Sequence, residues 1–192
     1  MAIGDAFAAG LVVLLLVGCS SPSETTPADA GTGAGGAGLD DGGADAVVRP
    51  DTNFIDTANP CNALDIGTAP AITPNQVASQ EPTAMGGTVF DGTYFLTKWT
   101  LYTGPGGATG PLPLTLQVRR DFAGGIVQTV QNDGSSIRRF SAMLTTTGTA
   151  FTETQSCPGS SVDTGTYTAT ATTITEWVSD HNQIVEVVFT KP

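Results

Sequence analysis

The sequence predicts an all-β protein, with residues 87–192 forming an eight-stranded antiparallel up-and-down barrel that follows a disordered linker. Three observations carry this. From Gly87 onward, runs rich in Thr, aromatic and β-branched residues recur at short intervals, and these residue types pack well on a pleated surface. Turns of Gly, Pro, Asn and Asp separate them, mostly too short for anything but antiparallel neighbours. The apolar residues of this region show no helical periodicity.

The strands follow in order. Residues 93–103 form a long aromatic and Thr-rich strand, ended by a Gly-Pro loop at 104–111. Residues 114–120 alternate cleanly, and Asp121 to Gly125 turn the chain into 126–131. Asn132-Asp133-Gly134 signals a tight hairpin, because Asp-Gly tolerates positive φ angles. Residues 136–146 return, 149–157 follow Gly148, and then come 165–171, 174–179 and 183–190. The turn Asp180-His181-Asn182 separates the last two. Eight such strands can close with no free edge. The rival sandwich fold needs longer crossovers than this chain offers.

Two stretches carry a family resemblance. Residues 91–102, "DGTYFLTKWTLY", resemble the opening strand of small lipocalin-like barrels, with Tyr94 where the lipocalin Gly-x-Trp has Trp. Residues 165–191 are similar to their closing strands: Gly-x-Tyr, an apolar strand, a polar turn, and a last strand ending in a basic residue. The resemblance covers roughly residues 87–192 and implies a lipocalin-like barrel; it carries over no ligand residue. Tyr94, Phe95, Trp99, Tyr102, Phe140, Tyr167, Trp177 and Phe189 are expected as barrel core and surface stripes.

At the N-terminus, residues 6–17 form an apolar run, too short for the roughly 20 residues of a spanning helix and suited to the core of a signal peptide. The first ten residues hold Asp5 and no Lys or Arg, a departure from the basic start of such signals. Leu16-Val17-Gly18-Cys19 resembles the lipobox of bacterial lipoproteins. That resemblance implies removal of residues 1–18 and lipidation of Cys19, which anchors the chain in the bacterial cell envelope. Each buried methylene contributes about 0.8 kcal/mol, so two or three chains hold where one gives only reversible attachment. Ser20 in the next position implies the outer membrane by resemblance to sorting rules in two-membrane bacteria.

The formal net charge is -11. Residues 20–60 carry seven acids against one base, Arg49; residues 61–192 carry ten against six. This balance argues against nucleic acid as a partner. The lipidated start and linker, 19–59, include "GTGAGGAGLDDGGADA", with too few large apolar groups to offset the entropy of ordering. Its span is roughly 35 Å. Asp40, Asp41 and Asp45 lack the spacing of a calcium loop and read as a solvated acidic spacer, so no metal or cofactor is expected. With Cys19 lipidated, Cys61 and Cys157 remain, and an oxidising compartment joins them. The bond would staple an irregular segment, 60–86, onto the barrel.

Two Arg doublets, Arg119-Arg120 and Arg138-Arg139, stand out. Successive strand side chains point to opposite faces, so one Arg of each doublet should point inward. A two-residue turn at Asp133-Gly134 would pair Asn132 with Ser135 and set Arg139 opposite Gln128, on the face of Ile126, Val130 and Ile137. In a lumen, Arg139, Gln128 and Arg120 would orient the carboxylate of a small amphipathic ligand, since Arg grips carboxylate with a bidentate fork. The rival reading is an internal salt bridge to Glu153 or Glu176, or a bulge that sends both Arg outward, because charge is rarely buried unpaired. His181, the one His, sits in a polar turn, and nothing selects Glu153 and Glu176 as a catalytic pair. No enzyme activity is expected. The sequence thus suggests a monomeric, lipid-anchored envelope protein that binds a small amphipathic ligand or another envelope component. The alternative is a structural or interaction lipoprotein with a filled barrel, or an inhibitor of an exported hydrolase using loops 104–111 and 157–164.

Overall fold

The computed structural model describes residues 61–180 and 183–192, together with the short strand at Ile55–Asp56. Residues 1–18, where a signal segment is expected, Cys19, most of the expected linker and His181 lie outside the described residues.

Among the described residues, eleven strands run in chain order: β1 Ile55–Asp56, β2 Asn75–Val77, β3 Gly92–Tyr102, β4 Gly110–Pro111, β5 Gln117–Ala123, β6 Ile126–Asn132, β7 Ser136–Thr147, β8 Ala150–Cys157, β9 Ser161–Ala169, β10 Thr173–Asp180 and β11 Gln183–Thr190. Eight of them, β3 and β5 to β11, pair in sequence order, and β11 pairs back to β3. The barrel is therefore closed, antiparallel and up-and-down, so its sheet has no free first or last strand. The three short strands belong to the segments that pack on it.

The wall is not uniform. β3 pairs with β5 only through residues 92–95. Beyond that point the two strands part, and residues 72–77 fill the gap. Ile72 exchanges backbone bonds with Leu116 at 2.8 Å each way, while β2 lies parallel to residues 100–102 of β3 and antiparallel to β4. Along β7, β8 pairs only from Ser141 on, and β1 lies parallel to Ser136 and Ile137. The Cys61–Cys157 disulfide, with Cα atoms 5.3 Å apart, fixes the chain here. Ser141 Oγ donates to the Cys61 carbonyl at 2.7 Å, and Asn62 Nδ2 donates to the carbonyls of Thr129 and Phe140. Residues 61–72 thus form a strap across the outside of β5, β6 and β7.

The other end of the barrel is closed by the approach to β3. Gly86 bridges Thr168, and the Tyr167 hydroxyl donates to the Gly87 carbonyl at 2.7 Å. Gly86 has φ 70°, and a Cβ there would run into the Gly148 carbonyl, so the crossing requires glycine.

The hairpin between β6 and β7 corrects the register expected from the sequence. Asn132 pairs with Ile137 rather than Ser135, and Arg139 with Val130 rather than Gln128. The physical reason is Asp133: its carboxylate accepts from the backbone N–H groups of Ser135 and Ser136 and from both hydroxyls. That holds a longer turn than the Asp-Gly pair alone would need.

Candidate functional site

Strand alternation sends one set of side chains inward. On the apolar side the barrel is filled by Tyr94, Leu96, Trp99, Phe122, Ile174 and Phe189, all nearly free of solvent. Tyr94 meets Phe122 edge-on, with ring centroids 5.3 Å apart, a favoured aromatic geometry. A buried polar group stands among them.

There, Arg120 on β5 is 4% exposed. Its Nη1 donates to both carboxylate oxygens of Glu176 at 3.0 Å, and its Nη2 lies 3.3 Å from Glu153 Oε2. The guanidinium also sits 4.7 Å from the centre of the Phe189 ring, a cation–π distance. Asp163 on β9 pairs with Glu153 on β8 and faces the same cluster. One cation therefore meets three carboxylates. Burial raises Glu176 to about 7, the Glu153 charge adds to this, and Arg120 opposes it. Burial and the Glu153 charge raise Asp163 to about 6. Burial works against the Arg120 charge, but Glu153, Glu176 and Asp163 outweigh it and raise its pKa. The cluster keeps an excess of carboxylate over cation, and burial holds a proton on it near neutrality.

The doublets do split as alternation requires. Arg120 points in, and Arg119 points out, bonding Asp121 and reaching Asp65 at 3.3 Å. Arg138 lies opposite the buried Gln131 and 3.7 Å from Asp133. The inward orientation expected of Arg139 and Gln128 is corrected. Both lie on the outer face of the wall, and Arg139 Nε donates to the Leu64 carbonyl of the strap at 2.9 Å. The apolar residues that suggested an interior face are explained by the strap: Val130 is fully buried, although the inward set on β6 is Val127, Thr129 and Gln131. Of the three residues assigned to a ligand, only Arg120 stands in the lumen, and its charge is already bound.

A second charged group was not read from the sequence. Glu186, on the outer face of β11 and 5% exposed, accepts from Lys98 at 2.7 Å and from the Tyr102 hydroxyl at 3.0 Å. Burial first, and then the Glu186 charge and hydrogen bond, push Tyr102 up to about 12. A hollow of about 340 Å3 lies alongside, bordered by Ile72, Asn75, Lys98 and Tyr102. Another, of about 280 Å3, lies at the closed end between Val89, Asp91, Phe122 and Leu144. Asp163 was also missed, because the sequence places the start of its strand at Gly165 while β9 begins at Ser161. Strict alternation of Val162, Asp163 and Thr164 was the available signal.

Among the described residues, no three His, Cys, Asp or Glu side chains converge as metal ligands. No family model matches the chain, and no curated protein or solved structure matches it either.

Proposed function

We propose that this chain is a non-enzymatic, lipid-anchored protein of the bacterial cell envelope whose lipocalin-like barrel works as a rigid body, meeting its partners with its outer surface. The observation that favours this over storage of an amphipathic ligand is the occupancy of the interior. Arg120, the lumen cation a carboxylate would seek, is already bridged by Glu176 and Glu153, and Trp99, Leu96 and Phe189 fill the space beside it. A ligand entering there must break a buried ion pair before it gains a contact. Outside, Met85, Phe90, Ile126, Met143 and Val162 are large apolar residues exposed by 46% to 78%, and such exposure marks interaction surfaces when it is contiguous.

The test has two arms. Labelled palmitate is expected to enter the wild-type chain in a bacterial host and not the Cys19→Ala variant; absence of label from the wild type overturns the anchor. Native mass spectrometry of the purified protein is expected to give the mass of the chain with its own lipid alone. A co-purified amphiphile released by Arg120→Met overturns the filled-barrel reading.

A further inference from the structure

The register of the wall sets three of the five exposed large apolar residues in one row. Ile126 on β6 is opposite Met143 on β7, Met143 is opposite Thr154 on β8, and Thr154 is opposite Val162 on β9. Ile126, Met143 and Val162 are 51%, 58% and 60% exposed. The next row on the same face is Thr145, Thr152 and Thr164. Outward positions of this wall from Met143 to Thr147, Ala150 to Ser156 and Val162 to Thr168 carry Thr, Ser, Ala, Val and Met, and no charge. The acids of these strands, Glu153 and Asp163, turn inward to Arg120.

This charge-free wall belongs to a chain of net charge -11. We propose that it is a self-association face, where a second copy of this chain docks. Two acidic copies repel wherever their charged surfaces approach, so the uncharged wall is where they can meet at least electrostatic cost. The row is also self-complementary. A two-fold axis running along the strands between β7 and β8 sets Ile126 against the partner copy's Val162, and Met143 against its Thr154, which is the isologous pattern of a symmetric dimer. β-Branched Thr and Val lose little side-chain entropy on contact.

Five residues of β7, seven each of β8 and β9, and Ile126 of β6, at about 4.8 Å by about 3.3 Å apiece, give roughly 300 Å2 per copy, or roughly 600 Å2 in all. That is the size of a weak, concentration-driven contact rather than an obligate one. Tethering copies to one surface raises their effective concentration. The proposal rests on the filled barrel and not on the anchor.

Sedimentation equilibrium of the full chain in mild detergent tests it, with the wild type, Cys19→Ala, and the double variant Met143→Glu, Val162→Glu. Dimer is expected to accumulate up to about 1 mM in the first two and to fall at least tenfold in the third, whose thermal midpoint should stay within a few degrees of the wild type. A wild type that remains monomeric over that range overturns the proposal. So does a dimer that survives both substitutions. A dimer lost in Cys19→Ala but kept in the double variant assigns association to the lipid and overturns it as well. If the double variant fails to fold, Thr152→Glu with Thr164→Glu in the neighbouring row replaces it, and a dimer that survives that pair overturns the proposal.

Discussion

Arg120 on β5 donates to both carboxylate oxygens of Glu176 on β10 at 3.0 Å, across the inside of the barrel. Neither residue is near the other in the chain, and between them they decide much of how this fold responds to pH and mutation.

The barrel should be less stable at pH 8 than at pH 5. Glu176 is raised from 4.5 to about 7, chiefly by burial, and Asp163 from 3.8 to about 6. Between roughly pH 4 and 7 the folded state then binds more protons than the unfolded chain, so stability falls as pH rises and levels off above the folded values. Asp133 acts in the opposite sense: burial opposes its ionisation, but bonds from Ser135 and Ser136 and the Arg138 charge outweigh that and lower it, so its contribution is lost only in acid below this window. Urea midpoints measured from pH 5 to 8 should decline, and a rise across that range would refute the protonation assignment.

Arg120→Met should cost about 3–5 kcal/mol at pH 8, the usual penalty for stranding buried partners of an ion pair. The cost should shrink at pH 5, where Glu176 and Asp163, both raised by burial, take up protons. Combining Arg120→Met with Glu153→Gln and Glu176→Gln should recover most of the loss. Denaturant unfolding of the wild type and the two variants checks this, and an undiminished deficit in the combined variant would place the role of Arg120 in packing instead.

Breaking the Cys61–Cys157 bond by Cys157→Ser should cost up to about 4.7 kcal/mol, the loop-entropy value for a closure of this length; the two residues are 96 apart in sequence. Hydrogen exchange should quicken in the strap at Asn62 to Leu64 and at its contact Arg139, while the amides of β10 and β11 keep their protection. Uniform acceleration throughout the barrel would show that the strap and the barrel unfold as one unit.

Tyr102 should titrate near 12, identified by the difference between the ultraviolet titrations of wild type and Tyr102→Phe. Glu186→Gln should lower that value without returning it to 10, because burial is the larger cause and persists. An unchanged titration in the Glu186 variant would mean that the 3.0 Å hydroxyl–carboxylate contact contributes nothing in solution.

Gly165 on β9 gives a packing test. A Cβ there would meet the Trp177 carbonyl and the edge of the Phe151 ring, so Gly165→Val should force the β9–β10 contact apart. Overpacking of this kind costs typically about 1–3 kcal/mol, read as a lowered thermal midpoint. Gly104 has open space around it but φ 75°, so Gly104→Asn is the control expected to stay near wild type.

Much of the architecture could be read from residue pattern. The eight barrel strands fall within a few residues of their expected places, because period-2 alternation and Gly, Asn and Asp turns act over short distances. The Cys61–Cys157 pairing followed from there being two cysteines once Cys19 was set aside. The inward and outward sense of β6 and β7 was not legible, since Val130 is apolar on a face that only becomes interior when residues 61–72 lie over it. The Lys98–Glu186–Tyr102 group was hidden for a related reason: its members come from opposite ends of the barrel sequence and meet only because β11 closes onto β3.

By itself the sequence determined the strands, their order and the alternation that forces one Arg of each doublet inward, because these depend on neighbours a few residues apart. Tertiary structure alone decided which face was the interior, which carboxylates Arg120 would find, and which wall would be left without charge. Those outcomes depend on barrel closure and on where the strap lies, contacts between residues that are 50 to 100 positions distant in the chain.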